Sequence, residues 1–337
     1  MENTVNAFVL LLNFLIVPGL AYGSQLALGA LGVTLIYAVL RFSNFAHGET
    51  MSFGAMVTIL ATWMLQAWDV SLGPLPTALL AVPFGILITA LMLLTTDKLV
   101  YRYYRKQKAI PVVFMIASVG VMFFMNGLVR FIIGPDDQNF DDGTRFLFNA
   151  REFKEWSGLA EALAIRNTQV ITLVTTLIVV AFLFWFLNRT RTGKSMRAFS
   201  DNEDLALLSG IDPDKVVRIA WILTAVLATV AGTLYGLDKS YKPFTFLQLL
   251  LPIFAAAIVG GIGNPVGAVV GGFVIAFSEV GITFAYRKFI GYFVPEAWEP
   301  DGLVQLLSTD YKFAVSFVIL VVVLLVRPTG IFSGKTL

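Results

Sequence analysis

The chain has 337 residues, of which 57% are hydrophobic and only 14% charged, against about 25% charged in soluble domains. Net charge is +2 and there is no cysteine, which removes any electrostatic case for nucleic acid and excludes disulfides, thiol catalysis and cysteine-held metal. The apolar runs are too long and too many for a soluble fold, so the composition implies an all-α, polytopic membrane protein.

Residues 7–40 form one apolar tract, too long for a single upright span. Pro18-Gly19 interrupts it, which predicts a short first segment and a full span over 21–40. No Lys or Arg precedes this tract, so it lacks the basic start of a cleaved signal and is expected to stay in the membrane domain. The stretch R-F-S-N-F-A-H-G-E (41–49) leads to a span over 51–68, where Trp63 and Trp68 suit an interface. A turn over 69–76 precedes a span over 77–96. The next loop carries Lys98, Arg102, Arg105, Lys106 and Lys108 against Asp97 alone, which places it in the cytoplasm. A span over 110–133 holds one charge, Arg130, near its outer end. A polar insert, 135–167, is then expected outside. Spans over 168–187 and 216–237 flank a cytoplasmic loop. The second over-long tract, 246–285, breaks at G-G-I-G-N-P (260–265). A mixed segment, 286–310, precedes the last span, 311–326, and a cytoplasmic tail. The expectation is a single transmembrane domain, 1–337, with about eight to ten membrane or re-entrant helices and none of the alternation of barrel strands.

The cytoplasmic loop 188–218 is the organising stretch. It holds Arg189, Arg191, Lys194, Arg197, Lys215 and Arg218 between two apolar spans. Ser200 and Glu203 have capping-box spacing, with Asp201 and Asp204 adding negative charge at a helix start. Leu205 and Leu208 then share a face, and Gly210 is placed to stop the helix. Asp212-Pro213 restarts one. So short a helix is marginal alone. It reads either as a knob that needs a soluble partner or as a solvated connector. T-G-K-S (192–195) resembles the end of a phosphate loop, but the required first glycine falls on Asn188 and no soluble strand precedes it. No nucleotide, metal or other cofactor site is therefore expected.

Backbone broken inside lipid is tolerated only against protein or a water-filled cavity. Gly- or Pro-broken apolar segments, one in each half, are the pattern of a translocation path; ordinary turns between short spans are the alternative. Candidate path residues are Asn44, His47 and Glu49 near the first break and Gly260, Gly261, Gly263 and Asn264 at the second. His47, the only histidine, is expected to cap a helix or donate hydrogen bonds rather than catalyse, since no Ser/His/Asp set accompanies it. Glu279, an acid inside a span, is a further candidate; an interfacial position is its plainer reading. Gly267 and Gly271 have the spacing that lets helices approach closely.

Three stretches together resemble the permease subunits of branched-chain amino acid ABC importers, the H-type subunit most closely. They are A-L-G-A-L-G-V-T-L-I-Y-A-V-L-R-F-S-N-F-A-H-G-E (27–49), R-A-F-S-D-N-E-D-L-A-L-L-S-G-I-D-P-D-K-V (197–216) and A-A-I-V-G-G-I-G-N-P-V-G-A-V-V-G-G (256–272), with V-L-L-V-R-P-T-G-I-F (323–332) fitting the tail. The insert 135–167 and the segment 287–310 match poorly. The resemblance implies a multi-pass protein of the bacterial inner membrane that is not itself an enzyme. It implies a second related permease, two ATPase subunits that carry out ATP hydrolysis, and a periplasmic substrate-binding protein. It also implies that 200–210, with Ser200, Asp201, Glu203, Leu205, Leu208 and Gly210, is the helix that docks on an ATPase. Relatives of this type also carry urea and short amides. The competing classes are an ion-coupled secondary transporter, which would hold more acids or histidines deep in its spans, and a membrane enzyme, for which no catalytic set is visible.

Overall fold

In the computed structural model the described residues are 2–141, 146–295, 300 and 302–332. The chain is helical almost throughout. Among the described residues, eight helices are long and apolar enough to cross a bilayer, and a shorter apolar helix, Thr245–Gly260, accompanies them.

The first two helices, α1 (Glu2–Leu11) and α2 (Val17–Leu40), are one continuous rod joined by a π-helical turn, Leu12–Ile16. The break expected at Pro18-Gly19 is absent. Pro18 sits in the first turn of α2, immediately after the widened π turn, where its missing N–H is absorbed without ending the helix. Gly19 serves packing instead: a Cβ there would stand 2.7 Å from the Phe277 ring.

α2 ends at Arg41, which adopts the left-handed conformation, φ 58°. The chain then climbs back along α2 as an irregular segment before α3 (His47–Ala67) begins. His47 lies against Gly32, which at the helical rise is about 12 Å along α2 from its end. The residues that climb from Arg41 to His47 are therefore non-helical backbone that reaches membrane depth. Their polar groups are met locally: Phe45 N donates to Ser118 Oγ at 3.1 Å and Ala46 N to Asn44 Oδ1 at 3.1 Å.

α4 (Ala78–Thr96) continues through a second π turn, Asp97–Tyr101, into α5 (Arg102–Lys106). α6 (Pro111–Ile133) crosses next. The insert then folds as a small cap with α7 (Ala150–Ser157) and a two-stranded antiparallel ribbon, β1 (Phe146–Phe148) with β2 (Ile165–Arg166). α8 (Asn167–Arg189), α9 (Arg191–Asp201), α10 (Glu203–Leu208) and α11 (Pro213–Lys239) follow. α12 (Thr245–Gly260) and α13 (Pro265–Thr283) form a helical hairpin, α14 (Arg287–Gly291) is a short outer turn, and α15 (Lys312–Val326) ends the bundle.

α2 is the axis, packed by α13, α11, α12 and α8, with α3 against α11 and α4. Small residues make this possible. α13 is wedged between two neighbours: Gly267 and Gly271 meet the backbone of Gly260 and Ala256 on α12, and Gly272 meets the backbone of Ala27 on α2. The outer helices expose apolar side chains such as Phe123, Phe131, Leu177 and Leu325, as a lipid-facing surface requires.

The two ends of the bundle differ. At one end the insert lies over the start of the chain, with Glu161 N donating to Asn6 Oδ1 at 3.2 Å and Ala164 N to Asn13 Oδ1 at 3.0 Å. The N-terminus and the insert thus share a face. The other end carries α10 together with α5 and α9 and the Lys and Arg residues of those two, and the positive-inside rule assigns it to the cytoplasm.

On the insert side, burial alone would raise the Glu161 carboxyl. Hydrogen bonds from Lys288, at 2.6 Å, and from Tyr292, with the charges of Lys288 and Lys154, outweigh it and hold the group below the ordinary carboxylate range. A depressed carboxylate stabilises the fold above its unfolded pKa, and that contribution is lost as pH falls through the folded value. Acidification of the outer face from neutral to below the ordinary carboxylate range is expected to loosen the link from the insert to α14. Protease cleavage of the insert should rise over that window in the native chain and be already high and less pH-dependent in Glu161→Gln.

Candidate functional site

The basic face is built around a corner. Thr190 caps α9, its Oγ1 accepting from Gly193 N at 3.0 Å. A Cβ at Gly193 would stand 2.2 Å from the Phe186 carbonyl oxygen, so this glycine closes the α8–α9 corner. The T-G-K-S stretch is thus a helix corner. α9 buries Met196 and Phe199 and leans on α8, α11 and α2.

The helix start expected at Ser200 lies elsewhere. Ser200 and Asp201 form the last turn of α9, and the chain breaks at Asn202. Asn202 Oδ1 accepts from Leu205 N at 3.0 Å and caps α10. Asparagine can turn the extended backbone between two abutting helices and still cap the second. The Ser200–Glu203 spacing matched a capping box, but that box needs a helix beginning after Ser200, where one is ending. Glu203 and Asp204 remain at the helix start, as the dipole favours. Gly210, φ +79°, follows the end of α10, and Asp212 caps α11 by accepting from Asp214 N at 2.9 Å. α10 buries Ala206 and turns Leu205, Leu207 and Leu208 outward, Leu208 being 85% exposed.

This foot is tied to the bundle by charge. The Arg41 guanidinium donates to the Ser200 carbonyl. Asp97, buried, accepts from Arg105 at 2.5 Å and from Trp221 Nε1 at 2.8 Å, and Arg102 pairs with Asp214 at 2.7 Å. Arg41 is also the residue from which the membrane-depth segment departs. The foot and that segment therefore share one anchor.

Above it, Asn44 Oδ1 also lies 3.4 Å from the Tyr101 hydroxyl. His47 is fully buried at the start of α3 but caps nothing. Neither ring nitrogen has a well-formed hydrogen bond, and the Gly29 backbone is the polar group it approaches. The expected capping role fails because the ring folds back onto Gly32 of α2. Glu49 Oε1 accepts from Asn126 Nδ2 at 2.8 Å. Arg130, one turn further along α6, lies with its guanidinium 3.6 Å from the Phe244 ring centroid.

The model of the family described as branched-chain amino acid transport system, permease component, matches residues 15–324. The LivH permease protein of Salmonella typhimurium, named for high-affinity branched-chain amino acid transport, is 30% identical over 320 residues, covering 94% of this chain and 93% of its own. LivH of Escherichia coli K12 is 30% identical over 318 residues, with the same coverage. BraD of Pseudomonas aeruginosa is 28% identical over 320 residues, covering 94% of each. The chain belongs to this permease family.

The permease scatters its other candidate path residues. Gly260, Gly261, Gly263 and Asn264 form the tight turn of the α12–α13 hairpin, with φ +110° at Gly261 and +83° at Gly263. The C-terminal segment closes over that turn. Ile331 N donates to the Val259 carbonyl at 2.8 Å, and Asn264 Nδ2 donates to the Phe332 carbonyl at 3.2 Å. The tail thus meets the carbonyls that lead into the turn, and Asn264 N donates to the Gly261 carbonyl within it at 3.0 Å. Glu279 sits apart, fully buried between α13 and α15, where Ser316 donates to it and Lys312 Nζ stands 3.7 Å away over the Tyr22 ring. That arrangement pins α15 to the bundle.

Asn44, His47 and Glu49 are thus the candidates that the fold gathers in one place, joined by Asn126 and Arg130 of α6. Asn126 escaped the sequence reading, although it lies four residues from the one charge in its span and so on the same face.

Proposed function

We propose that this permease forms half of the translocation path of an ATP-driven importer for branched-chain amino acids or a related small polar solute. It acts as a single transmembrane unit in a bacterial cell membrane, beside a second, related permease. Two ATPase subunits dock on the basic face, and a binding protein delivers solute to the face that carries the insert. The observation that carries this reading is the leucine edge of α10 on a foot anchored, through Arg41 and Ser200, to irregular backbone at membrane depth.

The proposed coupling is mechanical. ATP draws the ATPase pair together and α10 moves with it. The foot turns on the Gly193 corner and pulls Arg41. The strain passes through residues 42–46, where the Phe45 and Ala46 amides are held by side chains rather than by a helix ladder, to the start of α3. Asn44, His47 and Glu49 are displaced together, opening the path alternately to each side.

Uptake into vesicles holding the full complex tests this. Leucine uptake should stop when internal ATP is withheld and persist when proton and sodium gradients are collapsed. The reverse pattern would move the chain to ion-coupled transport.

A further inference from the structure

We propose that Glu49, Asn126 and Arg130 form a site for a zwitterionic α-amino acid inside the permease, an inference that rests on the importer reading above. Three observations carry it. Glu49 is 1% exposed, yet its Oε2 is buried without a hydrogen-bond partner. Arg130 Nε is likewise buried and unpartnered. The two opposite charges nonetheless make no ion pair with each other among the described residues. Asn126 is bonded to Glu49 Oε1 at 2.8 Å and precedes Arg130 by one helical turn, about 6 Å.

Burying a charge without a partner at membrane depth costs several kcal/mol. A carboxylate and a guanidinium held apart with one valence each left open are satisfied together by a ligand that carries both complementary charges. The ligand ammonium would meet Glu49 Oε2 and its carboxylate the guanidinium, a geometry arginine favours for carboxylates. Phe244 already fixes the guanidinium plane at 3.6 Å and offers an apolar wall beside it. A solute with only one of the two charges leaves either Glu49 Oε2 or Arg130 Nε unmet, which selects against amines and carboxylic acids of the same size.

The absence of cysteine gives a direct test. Met122 lies one turn before Asn126 on α6 and is half-buried. Met122→Cys in the assembled complex, without binding protein, puts a single thiol on this chain, whose labelling is read on the separated permease band. Leucine should slow its labelling by about tenfold when present at ten times its dissociation constant. Isoamylamine and isocaproate, each lacking one charge, should not. Glu49→Gln and Arg130→Gln should each weaken leucine protection by roughly 10- to 100-fold. Protection equal for leucine and both analogues, or unchanged in both variants, overturns the site. Absence of leucine protection in a complex that still imports leucine also overturns it and leaves the importer reading standing. A complex that imports no leucine with binding protein and ATP overturns the reading on which the site rests.

Discussion

Leu205→Asp combined with Leu208→Asp is expected to abolish association with the ATPase subunits and, with it, uptake. Both side chains are exposed, at 60% and 85%, on a helix that buries only Ala206. Removing a buried apolar anchor from an interface costs about 2 kcal/mol or more, so two give a drop in association on the order of a thousandfold. The helix itself should survive. Position 205 lies in its first turn, where an acid suits the dipole, and the Asn202 cap bonds the backbone rather than the leucine. Co-purification of the ATPases from membranes that hold normal amounts of permease reads the effect. Retention of the ATPases by the double variant would show that α10 is a solvated connector.

The second large effect is expected in the α12–α13 hairpin. A Cβ at Gly267 would stand 2.2 Å from the Gly260 carbonyl oxygen, and one at Gly271 would stand 2.0 Å from that of Ala256. The obstructing atoms are backbone, so no rotamer change relieves them. Gly267→Val or Gly271→Val should force the helices apart at a cost of about 3 kcal/mol or more. The same substitution at Gly120, which has nothing within 4 Å, should be nearly silent. Size-exclusion profiles of heated, detergent-solubilised protein separate the outcomes. Loss of the monodisperse peak is expected for the α13 variants and retention for Gly120→Val.

The long apolar runs were legible because a span needs only length and hydrophobicity, and the turn at Gly260–Asn264 because its glycines need positive φ. The Asp212-Pro213 start was legible for the same local reason: a cap and a proline act within one turn. What failed was context. Pro18 follows a π turn that leaves the helix unbroken, and nothing in the residues announces that turn. The start at Asn202 was misplaced by two residues because α9 reaches Asp201, and where one helix ends depends on the packing of Met196 and Phe199. Partners of glycines and of Arg130 lie on other helices, so spacing along one helix could not supply them. The ribbon in the insert has strands too short to show alternation.

The central claim is that α10 is gripped from the cytoplasm and moves the membrane segment behind it. Leu208→Cys, the single cysteine in the chain, tests it most directly when cross-linked within the complete transporter. A product containing an ATPase subunit, formed from the cytoplasmic side and changing in yield with ATP, is the predicted result. Labelling of that cysteine from the outside of intact cells, with no cross-link to an ATPase in either nucleotide state, would contradict the account.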